Sequence, residues 1–267
     1  MAAIGSEVQM SFSHATFAKW NGGIAKLLES ESNGVSLLEQ AIHDVIDFDI
    51  LMIFKYTANH AECLHHNIAD ARSKIVIDDY LKGPFVLDPF YSHALMERKS
   101  SFGAMRDLSP DHFHKSEFYR QHYHLTNIAD EIGIFFGLDP AVTAVLSITR
   151  EKSQRLFSRA EKTLFAAMAP VIETLGRKIW QSDRRARPDA LESRMESAFA
   201  EFGKRVLSRR EMEVATLILR GHSSLSIGNI LDISAGTVKI HRKNIYAKLN
   251  ISSQAELFHR FLQLFPS

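Results

Sequence analysis

Four cations, Lys239, Arg242, Lys243 and Lys248, fall within ten positions of the stretch SAGTVKIHRKNIYAKLNI, and no acid interrupts the chain between Asp232 and Glu256. Such a cluster concentrates on polyphosphate by releasing its counterions, whatever the base sequence. On a helix, Val238, Ile245 and Leu249 recur at spacings of seven and four and share a buried side, leaving Gly236, Lys239, Ile240 and Lys243 opposite. A helix divided in this way fits a DNA major groove. Lys239 and Lys243 point the same way and reach guanine acceptors, and Ile240 offers a contact to a thymine methyl. His241, Arg242 and Lys248 lie toward the flanks, where phosphate contact is expected.

A second group with possible chemistry is HFHKSEFYRQHYH, residues 112–124, whose His112, His114, His122 and His124 carry imidazoles a transition metal could use. His112 and His114 point to different sides of a helix, as do His122 and His124, and no cysteine assists, so no metal is expected. No phosphate-binding glycine loop, nucleophile elbow or zinc-hydrolase motif occurs. The expectation is a protein that is not an enzyme and uses no cofactor.

The elements that position the cations are legible. Ser208-Arg-Arg-Glu211 is a capping box before Val214, Leu217 and Ile218, so a helix should run from Ser208 to about Arg220, with Gly221 left-handed after it. A short helix over about 225–231 should turn Ile227, Ile230 and Leu231 toward the first. Ser234 should cap the cationic helix, and Ser253-x-x-Glu256 should open a fourth helix. Leu257, Phe258, Phe261 and Leu262 on that fourth helix supply an apolar face for pairing two subunits on paired half-sites.

These residues resemble the LuxR-type four-helix helix-turn-helix of bacterial transcription regulators. The resemblance spans roughly residues 206–264 and is carried by Leu207-Ser-x-Arg210-Glu211, Gly221, Ser234-x-x-Thr237-Val238-Lys239-x-His241, Ile245 and Lys248-Leu249. It implies double-stranded DNA as partner, with Ser234, Thr237, Lys239, Ile240, His241, Arg242, Lys243 and Lys248 at the interface. The chain departs from the family where Ser226-Ile227-Gly228 replaces Glu-Ile-Ala and where Ala215 replaces a larger aliphatic residue. A mid-helix glycine costs about 1 kcal/mol against alanine, so the second helix should be weakened.

The net charge of +1 over 267 residues hides an asymmetry, because the chain from Lys204 onward carries +6 and the first 203 residues carry −5. The composition, 45% hydrophobic and 24% charged, is that of globular domains. One cysteine, Cys63, allows no internal disulfide; no signal core stands near Met1 and no apolar run is long enough to cross a membrane, so a cytoplasmic protein without a membrane partner is expected.

Two helices should lead the chain, over 13–29 and 35–48. DILMIFKY (49–56) with AECLHHNI (61–68), and DEIGIFFG (130–137) with AVTAVLSIT (141–149), read as two hairpins, with a shorter strand near 101–105. Phe157-Ser158-x-x-Glu161 should cap one helix to about Trp180, its inner face formed by Leu164, Ala167, Met168, Val171, Ile172 and Leu175. An antiparallel sheet with flanking helices is an α+β architecture. Its aromatic helical insert resembles a GAF-type or autoinducer-binding sensor fold, with a pocket between sheet and insert. Tyr80, Phe85, Asp88, Phe90, Tyr91, Phe102, Tyr119 and Glu131 are the expected ligand-binding residues, and Gly103 is expected where a larger side chain would fill that pocket. Asp88-Pro89 matches the Asp-Pro pair of acyl-homoserine-lactone receptors, yet Trp20 and Trp180 do not stand shortly before it, so the lactone signature is incomplete. The leading acidic pair and central aspartate of a phosphoacceptor domain are missing too.

The expected organisation is a sensing domain over 1–183, a linker and connecting helix over 184–203, and an all-α DNA-binding domain over 204–267. RRARPDA (184–190) is the joint, followed by the stripe Leu191, Met195, Ala198, Phe199 and Phe202. The function implied is a homodimeric transcription regulator whose first domain answers a small-molecule effector. The alternatives are a lactone receptor, or a regulator whose first domain receives a partner protein in place of a ligand.

Overall fold

The computed structural model describes residues 13–30, 34–57, 60–69, 71–96, 100–180 and 206–263, which group into two compact units divided at Phe48 and Asp49. The predicted joint and the stripe from Leu191 to Phe202 lie outside the described residues. No helix among the described residues is long and apolar enough to cross a membrane.

In the first unit, α1 (His14–Glu29) begins at Ser13, whose hydroxyl accepts the Thr16 N–H, and it packs on α2 (Gly34–His43). Gly23 permits the approach, because a Cβ there would stand 2.6 Å from that of Ala41. The second helix stops at His43, short of the expected Phe48. Its end tightens where the Val45 N–H bonds to Ile42, and His43 closes edge-on over Phe48.

The second unit is built on a fully antiparallel five-stranded sheet of order β2-β1-β5-β4-β3. The strands are β1 (Ile50–Thr57), β2 (His60–His66), β3 (Ser101–Ala104), β4 (Ile128–Asp139) and β5 (Val142–Glu151). The period of two divides their side chains. Ile132, Ile134, Phe136, Leu146 and Ile148 point to one face, which α6 (Arg159–Ala167) and α7 (Ala169–Trp180) cover. Glu131, Phe135, Val145, Ser147, Met52, Phe54 and Tyr56 point to the other.

The capping box at Ser158 and Glu161 is formed, but the helix it opens is two helices, not one. Pro170 has no N–H for the carbonyl four residues back, so the chain turns at Met168. Phe165, missing from the expected inner face, is fully buried, while Ala167 is exposed. Glu161 also receives Arg150, whose side chain is 2% exposed, at 2.8 Å, and Arg150 lies over the Phe157 ring. Burial alone would raise the Glu161 carboxyl; hydrogen bonds from Arg155, Arg150 and Ser158 outweigh it and hold it far below the usual carboxylate range.

The open face of the sheet is closed by short helical segments of three to eight residues. These are Lys74–Asp79, Pro84–Leu87, α3 (Pro89–Met96), α4 (Met105–Leu108), Phe113–Lys115, α5 (Glu117–Gln121) and Tyr123–Thr126. LDPFY starts α3: the Asp88 carboxylate accepts the Phe90 N–H at 2.7 Å and Pro89 fills the first helical position, which needs no donor.

The C-terminal part is four helices, α8 (Arg209–Leu219), α9 (Ser224–Leu231), α10 (Ala235–Leu249) and α11 (Gln254–Leu262). The box at Ser208 and Glu211 is formed, Gly221 takes φ +93°, and Ser234 and Ser253 accept the expected early amides, while the second helix begins earlier than expected, capped by Ser223. Ile227 is buried but Ile230 is exposed, so the second helix meets the first along a narrower stripe than its apolar residues suggested. Gly228 serves the turn into α10: its carbonyl accepts from Asp232 and Ile233, and a Cβ would stand 2.7 Å from the Ile233 oxygen. Leu257, Phe258 and Phe261 are wholly buried inside the chain. The face expected to pair subunits is therefore spent on this chain's own core.

Candidate ligand cavity and DNA-binding surface

Between sheet and insert lies a cavity of about 30 Å³. Its floor is Met52, Phe54 and Tyr56 of β1, Ile128 and Glu131 of β4, and Val145 and Ser147 of β5. The insert closes it with Val76, Tyr80, Asp88, Phe90, Phe118, His122, Tyr123 and Thr126. At about 10–15 Å³ per water the space holds only a couple of waters, so a larger occupant must widen it.

A hydrogen-bonded chain crosses one wall. Tyr80 donates to Asp88 Oδ2 at 2.8 Å, and the Tyr56 and Tyr80 hydroxyls are 2.7 Å apart. Tyr80 has one proton and gives it to Asp88, so Tyr56 donates to Tyr80. On the facing wall Tyr123 donates to Glu131 Oε2 at 3.2 Å. Burial pushes the Asp88 carboxyl up to about 6, against the hydrogen bonds from Tyr80 and Phe90. Burial, and then the charge of Asp88, push Glu131 up to about 8, and burial holds His122 down at about 4.

Of the expected ligand residues, Tyr80, Asp88, Phe90 and Glu131 line this cavity together. Phe85 and Tyr91 are buried one layer behind, against Tyr80 and Tyr56. Phe102 lies on the opposite face of the sheet against Phe165, because it pairs with Ile134. Tyr119 packs outward among Phe113, His114 and Tyr123. Gly103 faces Leu108 and Phe135 and does not line the cavity. Tyr56, Val145 and Ser147 were not anticipated; alternation along β1 and β5 was the available signal, masked by strands apolar on both faces. Among the described residues no three His, Cys, Asp or Glu side chains gather where a metal could be held. His122 faces the cavity, while His112, His114 and His124 are exposed.

On α10 the sequence reading of faces matches the geometry. Val238, Ile245 and Leu249 are buried, and Lys239, Ile240 and Lys243 are exposed, Ile240 at 61%. Ser234 accepts the Thr237 N–H at 3.0 Å and bonds its hydroxyl at 2.8 Å, so both side chains fix the start of the helix. Arg242 bonds to Tyr246 and Gln254, and His241 is half-buried beside it. Lys248, expected at a phosphate, instead pairs with the buried Glu211 at 2.7 Å.

The four helices rest on the insert. The Ser223 N–H at the start of α9 donates to Asp111 Oδ1, α11 packs on α5, and a Cβ at Gly221 would stand 2.9 Å from that of Ser116. Between them is a polar cleft of about 120 Å³ with Lys115, His222, Ser224 and Arg242 in its walls.

Residues 205–261 match the family model described as bacterial regulatory proteins, luxR family. A putative HTH-type transcriptional regulator in the exeN 3′ region of Aeromonas salmonicida is 37% identical over 153 residues, 54% of this chain and 78% of that protein. The monoamine regulon transcriptional regulator of Klebsiella aerogenes is 26% identical over 195 residues, 73% of this chain and 74% of that protein. Among solved structures, the VqsR LBD domain of Pseudomonas aeruginosa superposes with a TM-score of 0.53 at 22% identity, covering 61% of this chain and 98% of that one, a likeness of fold. With its four C-terminal helices, its exposed cationic helix face and these relatives, the chain belongs to the LuxR family of bacterial transcription regulators.

Proposed function

We propose that this regulator binds double-stranded DNA as a homodimer, reading bases with Lys239, Ile240 and Lys243, and that a small molecule in the sheet–insert cavity sets its DNA affinity. The domains follow the division at 1–183, 184–203 and 204–267. One observation supports the coupling above all others. The short segment from Asp111 to Thr126 supplies Phe118, His122, Tyr123 and Thr126 to the cavity and Asp111 and Ser116 to the DNA-binding helices. A ligand changes DNA affinity only if it binds the DNA-competent and incompetent arrangements unequally, and a shared wall provides that difference.

The test is a DNA-binding titration at fixed salt, with full-length protein before and after removal of small molecules that co-purify with it and are identified by mass spectrometry. Restoring the molecule should shift the DNA dissociation constant by about fivefold or more. An unchanged constant, with a stable protein partner recovered instead, would replace the small-molecule reading by the protein-partner one.

A further inference from the structure

The cavity's hydrogen-bond inventory is one-sided. Tyr56 gives its proton to Tyr80, Tyr80 to Asp88, Tyr123 to Glu131, and Thr126 to the Tyr123 carbonyl. The Ser147 hydroxyl is also turned to Glu131. The walls thus consume their own hydroxyl protons and offer an occupant mainly acceptors: the Tyr56 oxygen, the Asp88 carboxylate and, once its proton is displaced, the Glu131 carboxylate. No lysine or arginine lines the space. Both acids are more than nine-tenths buried, and the remaining surface is largely aromatic and aliphatic.

Resting on the ligand-responsive reading above, we propose that the cavity takes an organic ammonium ion, a primary amine carried on a compact apolar or aromatic body, with Asp88 and Glu131 receiving the charged group. An ammonium is three donors and no acceptor, the complement of this wall. Aromatic faces attract a desolvated cation, and Phe54, Phe90 and Phe118 provide them. A carboxylate ligand would meet two acids and no cation. A carbonyl-rich ligand would find two donors, the His122 N–H and the proton that Glu131 keeps below about pH 8.

The charge of the pair sets a pH signature. In the empty cavity Glu131 keeps its proton up to about pH 8, and an entering ammonium displaces it. Amine affinity should therefore rise with pH toward 8, by up to about tenfold per unit. His122, held at about 4, stays neutral through that range, and Tyr56, Tyr80 and Tyr123 are pushed well above their usual values by burial. Asp88, at about 6, loses its charge only toward the acidic end.

The experiment is calorimetric titration of the full-length chain with 2-phenylethylamine, 2-phenylethanol and 3-phenylpropanoate, matched in skeleton and different in charge, at about pH 6, 7 and 8. The amine should bind at least about tenfold more tightly than the alcohol, with proton release and an affinity that climbs with pH. Glu131→Gln should flatten that climb, its folding checked by thermal melting; should it not fold, Asp88→Asn should weaken the amine more than the alcohol. An alcohol or an acyl-homoserine lactone binding as tightly as the amine, or an affinity that falls as pH rises, overturns the ammonium assignment and leaves the ligand-responsive reading intact. Absence of binding by these three probes and by the lactone, with DNA affinity indifferent to every small molecule recovered from the native protein, overturns both.

Discussion

Ser223 and Asp111, 112 residues apart in the chain, are joined by a hydrogen bond of 3.2 Å from the Ser223 N–H to Asp111 Oδ1. A helix N-terminus presents free amides and a positive dipole end, features that suit DNA phosphate as well as a carboxylate. Burial would raise the Asp111 carboxyl, but hydrogen bonds from Ser223 outweigh it, so the group stays ionised at its post. Asp111→Ala should release α9, tightening DNA binding by about three- to tenfold, the equivalent of one helix cap of about 1 kcal/mol. Fluorescence anisotropy on labelled duplex at constant salt measures it; unchanged or weaker binding means this contact does not restrain the DNA-binding helices.

The lysines of α10 should separate by role. Lys239→Ala and Lys243→Ala should each cost about 1–3 kcal/mol of DNA affinity and relax base preference. Lys248→Ala should leave base preference alone and lower the melting temperature, because it strips the buried Glu211 of its partner; with the lysine half in solvent, the loss should be about 1 kcal/mol. Competition binding with scrambled duplexes, alongside thermal melts, distinguishes the two effects.

Stability of the ligand-free protein should fall between about pH 6.5 and pH 8. Glu131 has its folded value raised to about 8, so the folded protein holds a proton that the unfolded chain has already released, and stability declines as pH climbs through that window. The decline due to this group is about 2 kcal/mol across those 1.5 units, and Glu131→Gln should remove it. Below about pH 6.5 the slope mixes with His122, whose depressed value acts in the opposite direction. Urea melts at the two pH values decide the matter; equal slopes for wild type and variant would mean Glu131 titrates normally.

Filling the cavity should uncouple sensing from DNA contact. Val145 lies on the rigid floor, so Val145→Phe occupies ligand space at a packing cost of about 1–3 kcal/mol. The variant should keep basal DNA affinity and lose its response to ligand. A fragment of residues 191–267, which lacks Asp111, should bind DNA more tightly and also without a response to ligand, and a fragment that still responds would put the sensor in the tail.

Two chains should bind one operator-length duplex, since a single four-helix module reads too few base pairs for useful specificity. Leu257, Phe258 and Phe261 are buried in the chain, so the pairing must use other surfaces. Leu257→Asp should consequently unfold the DNA-binding helices, whereas a surface role would yield a folded monomer; sedimentation and circular dichroism tell these apart.

The sequence displayed what rests on local chemistry. Capping boxes at Ser208 and Ser158 and the division of α10 around Val238, Ile245 and Leu249 depend on residues within a few turns of each other. Asp88 and Glu131 were legible because acids in apolar surroundings need a reason. Phe102 was misplaced because an aromatic residue in a short strand does not disclose which face it joins; its pairing with Ile134 decides that. Lys248 looked like a phosphate ligand because its partner, Glu211, is 37 residues distant. Tyr56 passed as core, since only the cross-strand register turns it toward Tyr80.

The sheet under the cavity is backed on its far side. Its five strands are laced edge to edge, and its far face is clamped by Arg150 on Glu161 and by Phe136 against Gly176. The roof consists of turns three to eight residues long. Swelling of the cavity through α5 and its neighbours is thus passed to the ground beneath Gly221 and α11. An occupant too large for the resting space acts as a wedge with a fixed line of thrust, and bulk beyond the charged group becomes the measure of output: a slim ligand could fill the site in silence while a broader one on the same anchor shifts the DNA-binding helices.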